Sequence, residues 1–279
     1  MGAIEQIIDI IEDIAQGRYS DEIMRFTTMD NDPTIRRIAE AIGMTMVKIE
    51  AREQRLENLI DELKQVNSQL KRNTLNTVRS MAMALGARDE YTKGHDLRAG
   101  AYAFRLANRL GLSDDKATEV AVAGILHDIG KIGFCDALFA NDDNKPTEAM
   151  MAEIRRHPAL GGEILRDLDF LGDVQAYIRS HHERMDGAGY PDGLAKEAIP
   201  LGARILAIAD CFDAITTDRS YQKGRTMEQA FAILRDMAGP KLDPELVELF
   251  LQDITEYGMA KNSDLERLTL LLAKPSLAD

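Results

Sequence analysis

An all-α fold is what this sequence predicts, and three observations carry that prediction. Apolar residues recur at helical spacing through most segments. No convincing period-2 strand can be found between about Leu75 and Tyr257. Ile49, Leu56, Leu63 and Leu70 fall seven apart, with Leu59 and Val66 between them, which is the seam of a coiled coil. The composition agrees, with 13 Met, no Trp and only 5% aromatic residues. The layout is a pair of N-terminal helices and a coiled-coil linker, followed by a helical bundle.

The elements follow in order. "IEQIIDIIEDIA" has helical spacing and places Ile4, Ile7, Ile8, Ile11 and Ile14 on one face. "QGRYSDEI" interrupts it, and after the turn "DNDP" a second periodic stretch takes in Ile35, Ile38, Ile42 and Met46. The layout predicted is helix, a connector of some 15 to 20 residues, helix. The second helix continues into the heptad seam, and Asn73 sits at a seam position, where a polar residue fixes register. A stripe this narrow suits a partner helix in a parallel homodimer; a long solvated helix packed on its own domain is the alternative. Further on, "KATEVAVAGILHDIGKIG" is helical with a glycine stop. "TEAMMAEIRRHPALGGEILRDL" is a helix, a proline break and a second helix. Asp243-Pro244 starts another. The tail from about Met259 folds back as a last helix or frays.

Charge and composition exclude several function classes. The net charge is −13, a poor basis for binding duplex DNA, which relies on basic residues releasing counterions. An anionic substrate would need a local site that overcomes this repulsion, and metal ions are one means. Cys135 and Cys211 form no CxxC pair and fit buried thiols in a reducing compartment. No apolar run approaches the roughly 18 residues of a membrane span, and acidic residues inside the first apolar stretch exclude a signal peptide. A cytoplasmic protein is expected. The chain begins abruptly inside a helical pattern, so it is compatible with a piece of something longer.

The metal-capable residues form a pattern. The five histidines are 95, 127, 157, 181 and 182. His127-Asp128 ends an apolar helix, His181-His182 lies near the end of another, and Asp210 sits in the apolar run "ARILAIADCFDAI". An aspartate buried in such a run is costly unless it is paired or bound to a cation. Neighbouring residues on a helix project about 100° apart, so His-Asp and His-His pairs suit one edge of a polynuclear site better than a single ion. Nitrogen and carboxylate donors without thiolate suit iron, manganese or zinc. Two metals roughly 3.5–4 Å apart can hold a bridging hydroxide and stabilise an in-line attack at phosphorus. Helix capping is the plain alternative for His127-Asp128, and a hydrogen-bonded histidine is the plain alternative for His95 or His157 alone. Neither explains why all five lie in one region beside acids or at helix ends.

"HDIGK" (His127 to Lys131) and "HHERMDGAGYP" (His181 to Pro191) resemble the HD-GYP domain, a branch of the HD phosphohydrolases. "RDEYTKGHDLRAGAYA", "RHPALGGEIL", "IPLGARILAIADCFDAITTDRSY" and "LDPELVELF" extend the likeness in order over about residues 75 to 257. The resemblance implies a helical bundle that hydrolyses a cyclic dinucleotide, usually cyclic di-GMP; the product is pGpG, or GMP where the second ester is also cut. It implies a two- or three-metal centre of iron or manganese with His95, His127, Asp128, His157, His181, His182 and Asp210 as ligands, Asp128 bridging. It places Lys131 beside the scissile phosphate, Arg219 on a substrate phosphate, and Arg184, Gly187, Gly189, Tyr190 and Asp213 at or behind the substrate. Tyr190 faces substrate or a signalling partner, or serves only to pack a stiff turn.

The departures from that pattern bear on function. A glutamate four residues before the first histidine marks the three-metal members; Tyr91 stands here, which implies two metals and no third. Cys135 replaces a common proline, the segment Phe139 to Met151 is more acidic than the usual loop and about one residue longer, placed between two ligand-bearing stretches where a lid would sit, and Gln222 replaces a basic residue. Residues 4 to 53 resemble a HAMP signalling module, without its usual proline or its Asp-Glu-x-Gly start. The expected domains are therefore 1–53 HAMP-like, 54–74 coiled coil, 75–257 catalytic and 258–279 tail. Two competing functions remain: a phosphodiesterase preferring cyclic GMP-AMP, and a non-catalytic cyclic-dinucleotide receptor that signals through the coiled coil.

Overall fold

Helices are the regular elements of this chain among the described residues; there is no sheet, only an isolated bridge between Ala238 and Leu242. The computed structural model describes residues 2–18, 21–28, 32–88, 94–138, 147–218, 223–261 and 263–264. Tyr91, Arg219, Gln222, most of the acidic 139–151 segment and the tail beyond 264 lie outside the described residues. The chain divides into two compact units, Met1–Asn67 and Ser68–Asp279.

In the first unit α1 runs Ala3–Ala15, a 3-10 turn at Asp21–Met24 leads into the short α2 (Arg25–Thr28), and α3 starts at Pro33 and runs to Arg88. The connector predicted between the two helices therefore contains helical turns of its own. Asp32 starts α3 by accepting a bond from the Thr34 amide at 2.7 Å, and Pro33 at the first helical position gives up no hydrogen bond. Ile7, Ile10, Ile23, Phe26, Ala39 and Met46 are buried together. This corrects the single isoleucine face expected for α1. Ile7 and Ile10 are buried, while Ile4, Ile8 and Ile11 are exposed. Isoleucines at 4, 7, 8, 10, 11 and 14 cover an arc wider than one packing partner can bury, so the arc splits into an inner and an outer stripe. The seam residues Leu56, Leu59, Leu63, Val66 and Leu70 are also exposed, Leu63 at 69%.

The second unit is a bundle of α4 (His95–Arg109), α5 (Asp114–Leu126), α6 (Glu148–Ile154), α7 (His157–Ile164), α8 (Val174–Ser180), α9 (Leu201–Thr216), α10 (Met227–Met237) and α11 (Pro244–Tyr257). Ser113 caps α5, Thr226 and Gln229 form a capping box on α10, and Asp243 caps α11 ahead of Pro244. Every residue of α5 from Ala117 to Leu126 is buried, as expected of a helix apolar on all sides with others packed around it. Tyr102, Phe212 and Phe250 meet edge to face at centroid distances of 5.1 to 6.0 Å, locking α4, α9 and α11 together. The α4–α5 hairpin brings the first residue of α4, His95, beside the residue that ends α5, His127. α9 carries Asp210 to the same place.

Candidate metal centre

The site is built where helices end. His127 follows the last residue of α5, His181 follows the last of α8, and His157 opens α7 just after α6 stops. Each of these rings gives its Nδ1 to a carbonyl three residues earlier: His127 to Gly124 at 2.8 Å, His157 to Ile154 at 2.6 Å and His181 to Ile178 at 2.6 Å. A carbonyl only accepts, so Nδ1 carries the proton and Nε2 is left as a bare lone pair. These lone pairs converge. His157 and His181 set Nε2 against Nε2 at 3.3 Å, a distance at which two acceptors need a shared cation or proton.

Two donor groups can be distinguished. His157, His181 and His182 bring one ligand atom each within 4.8 Å of one another, and so do His95, Asp96, His127 and Asp128. Asp128 connects them, with Oδ2 at 3.4 Å from His127 Nε2 and Oδ1 at 3.4 Å from His157 Nε2. Asp210 Oδ1 lies 3.1 Å from His95 Nε2 and 3.8 Å from His127 Nε2. All seven residues that the sequence marked as ligands thus meet in one place. The chemistry of the donor set fits divalent cations of the iron, manganese or zinc type.

Electrostatics reinforce that fit. Burial resists ionisation of Asp128, yet Lys131 and His127, then His157, hold its carboxyl well below the usual range. Asp210 is likewise driven low against its burial by the hydrogen bond from His95 and by His127. Burial pushes His157 down to about 4, and burial with three neighbouring imidazoles, His182 first, pushes His181 down. His95 is the exception: burial alone would lower it, but Asp210 and Asp213 on its two nitrogens raise it to about 10. The centre therefore presents ionised carboxylates and mostly neutral imidazoles, the forms that ligate metal.

Other residues surround this centre. Lys131 Nζ is 2.5 Å from Asp128 Oδ2, which holds its ammonium against the donor groups. Gly130 has no room for a side chain: a Cβ there would lie 2.0 Å from the His157 carbonyl oxygen, so glycine lets the His127-Asp128 turn press against α7. Tyr190 sits with its ring 5.0 Å from His182, and burial pushes its hydroxyl up to about 12. Gly187 adopts φ +76°, a conformation other residues rarely take. Arg184 turns onto Asp186 two residues away in a two-bond fork.

Residues 54–246 match the family described as HD domain. The chain belongs to the HD domain family. A cyclic di-GMP phosphodiesterase response regulator of Xanthomonas campestris, RpfG, is 39% identical over 178 residues, 63% of this chain and 47% of its own. A 3'3'-cGAMP-specific phosphodiesterase of Vibrio cholerae is 36% identical over 218 residues, 77% of this chain and 39% of its own. The chain spans about half or less of the length of these curated relatives. The crystal structure of a V. cholerae cyclic GMP-AMP specific phosphodiesterase matches 70% of this chain and 53% of that one, with a TM-score of 0.51 and 21% identity, a likeness of fold.

Within this HD domain, some placements differ from expectation and some residues went unmarked. Asp213, expected among the substrate contacts, is almost fully buried behind His95. One oxygen accepts from His95 Nδ1 at 2.7 Å, and Arg98 forks onto both, at 2.6 and 2.8 Å. Its hydrogen bonds go to His95 and Arg98, the pattern of a positioning residue rather than of a substrate contact. Arg98 carries no motif in the sequence, and Glu183 stands beside the histidine pair with no role that the sequence assigns. Glu183 is buried and accepts from the amides of Asp192, Gly193 and Leu194 at 2.7 to 3.1 Å, so it anchors the glycine-rich loop from beneath. Asp96 was also passed over, yet it stands in the donor group with His95. Burial raises its carboxyl to about 6. Arg219 lies outside the described residues.

Proposed function

We propose that this chain is a metal-dependent phosphodiesterase that opens cyclic di-GMP to pGpG and onward to GMP. The observation that carries the proposal is Asp128 spanning two histidine-rich donor groups with one oxygen toward each. That is an arrangement for a pair of cations, with His95, His127 and Asp210 about one and His157, His181 and His182 about the other. When bound, a divalent pair supplies a nucleophile at neutral pH and spreads the charge developing at phosphorus. The chain's own residues do the rest. Asp128 fixes the spacing between the two groups. Lys131, held against Asp128, sets a positive charge where the scissile phosphate or the leaving oxygen lies. The loop at Gly187 brings backbone close to the nucleotide, and Tyr190 closes the His182 side. Water adds to phosphorus, the 3′ oxygen leaves, and that oxygen takes up a proton.

Cyclic GMP-AMP is the second substrate to consider, because several related proteins from Vibrio cholerae are named as specific for it. Iron or manganese fills the pair in this reading, and the two donor groups support a count of two cations. The exposed Leu56, Leu59, Leu63, Val66 and Leu70 support a parallel homodimer through the long helix. Residues 1–53 act as a HAMP-like input module in this reading, and the loop at Tyr190 offers a place for a signalling partner. Among the described residues no helix is long and apolar enough to cross a membrane; a cytoplasmic site of action fits a nucleotide second messenger.

The test is purification without oxygen, metal analysis, and incubation with cyclic di-GMP while products are separated by chromatography. About two iron or manganese ions per chain with pGpG or GMP appearing is the expected result. Bound metal without turnover of either cyclic dinucleotide would overturn the catalytic reading.

A further inference from the structure

We infer that Asp96 is a third carboxylate ligand of the cation held by His95, His127 and Asp210, and that it makes the two metal positions chemically unequal. This rests on the two-cation reading above and concerns a residue that neither the motif pattern nor the resemblance marks.

Geometry comes first. One ligand atom from each of His95, Asp96, His127 and Asp128 lies within 4.8 Å of all the others, the crowding a single ion produces. Asp96 Oδ1 is also buried without a hydrogen-bond partner. Two neighbouring carboxylates are satisfied in different ways. Asp213 takes three charge-assisted bonds from Arg98 and His95, and Asp128 takes Lys131. A carboxylate oxygen removed from water and left unpaired is costly, and folded proteins rarely tolerate one unless something outside the protein completes it.

A plainer account is that Asp96, in the first turn of α4, only complements the helix dipole. That explains an acid at this position. It does not explain a side chain that has a buried, unbonded oxygen and stands in one group with two imidazoles and a second carboxylate. A cation among those four side chains explains all of it.

The consequence is an asymmetric pair. One position has His95 and His127 with Asp96, Asp128 and Asp210: two nitrogens and three carboxylates. The other has His157, His181 and His182 with the far oxygen of Asp128: three nitrogens and one carboxylate. The oxygen-rich position favours the harder ion and holds a manganese-type cation more tightly; the nitrogen-rich position releases it first.

The experiment uses the full chain loaded with Mn(II). The metal is withdrawn by titration with a chelator and counted per chain, alongside Asp96→Asn and His157→Ala. Wild type is expected to release its two ions in separable steps. Asp96→Asn should weaken the tighter step by at least about tenfold, since loss of even an outer partner of a ligand costs that much. His157→Ala should remove the looser step and leave the tighter one. Thermal melting of the metal-free proteins separates ligation from packing: Asp96→Asn should melt no lower than wild type, because it relieves an unpaired buried carboxylate. A lower metal-free melting point with unchanged Mn(II) affinity would overturn the inference and make Asp96 structural. Wild type that binds no Mn(II) or iron would instead sink the two-cation reading itself.

Discussion

Replacing Asp213 by asparagine tests how this centre is held. The change keeps the size and shape of the side chain and removes its charge. In the native chain one oxygen accepts from Arg98 Nε at 2.6 Å; the other accepts from Arg98 Nη2 at 2.8 Å and His95 Nδ1 at 2.7 Å. Asparagine has one acceptor and one donor end, so it cannot serve both partners. If its oxygen faces Nη2 and His95, its NH2 group confronts Arg98 Nε. If it turns over, the NH2 group faces His95 Nδ1 and stabilises the tautomer whose Nε2 carries the proton, which removes His95 as a ligand. Breaking a buried ion pair costs about 3–5 kcal/mol, and Arg98 keeps 24% of its side-chain surface, so the lower end, about 3 kcal/mol, applies. For a unit of roughly 200 residues that is a fall in melting temperature of about 6–12 °C. Metal affinity should fall by about 10–100-fold, the usual effect of losing a carboxylate behind a ligating histidine. Denaturant melts of the metal-free protein and chelator competition on the loaded protein measure the two effects separately. A variant within about 0.5 kcal/mol of wild type, with unchanged metal affinity, would refute the idea that Asp213 works through His95.

The remaining predictions concern other parts of the chain. Gly130→Ala puts a methyl 2.0 Å from the His157 carbonyl oxygen and 2.7 Å from the Gly161 amide nitrogen; with backbone on both sides it should cost about 3 kcal/mol or more and fail to retain metal, measured by melting and metal content. Asp243→Ala removes the α11 cap and the partner of Arg204, and should cost about 2–4 kcal/mol in urea unfolding, with Asp243→Asn intermediate because the cap survives. In native protein a maleimide should label one thiol quickly: Cys135 is exposed, against the expectation of two buried thiols, whereas burial beside Asp210 pushes the Cys211 thiol up to about 12. Cys135→Ser should abolish the fast phase; two fast thiols would contradict this placement of Cys211. Leu63→Glu should convert a dimer to a monomer in sedimentation equilibrium without lowering the α-helical content of the second unit, and an unchanged mass would rule out the seam as the dimer contact.

The centre was legible in the sequence because its residues are rare and their contexts unusual. Five histidines beside acids or at helix ends need a common purpose, and Asp210 in an apolar run needs a cation. The residues that escaped notice look ordinary one at a time. Asp96 passes for a first-turn acid, Arg98 for a solvated arginine on α4, and Glu183 for the charged neighbour of a histidine pair. Only the fold shows that α4 turns Arg98 toward α9, 115 residues away, or that Glu183 sits beneath a loop folded back over it. The α1 face differs from its spacing for a related reason. Spacing reports which residues share a stripe, but the width of the partner decides how much of that stripe is covered.

The three buried imidazoles that cap helix carbonyls have one more consequence. α5, α6 and α8 end close together, where the carbonyls of Gly124, Ile154 and Ile178 accept from His127, His157 and His181, and the carboxylates of Asp96, Asp128 and Asp210 lie among the same histidines. Carbonyl ends attract positive charge and repel negative charge. In a chain that already carries a net charge of −13, the centre without cations would repel the doubly anionic ring of the proposed substrate. Divalent cations held by these side chains would reverse that sign. If the chain acts on a cyclic dinucleotide as proposed, its affinity for that nucleotide is a gauge of its metal supply: starved of metal, it would lose its hold on the messenger as well as its chemistry, and would not act as a silent sink for it.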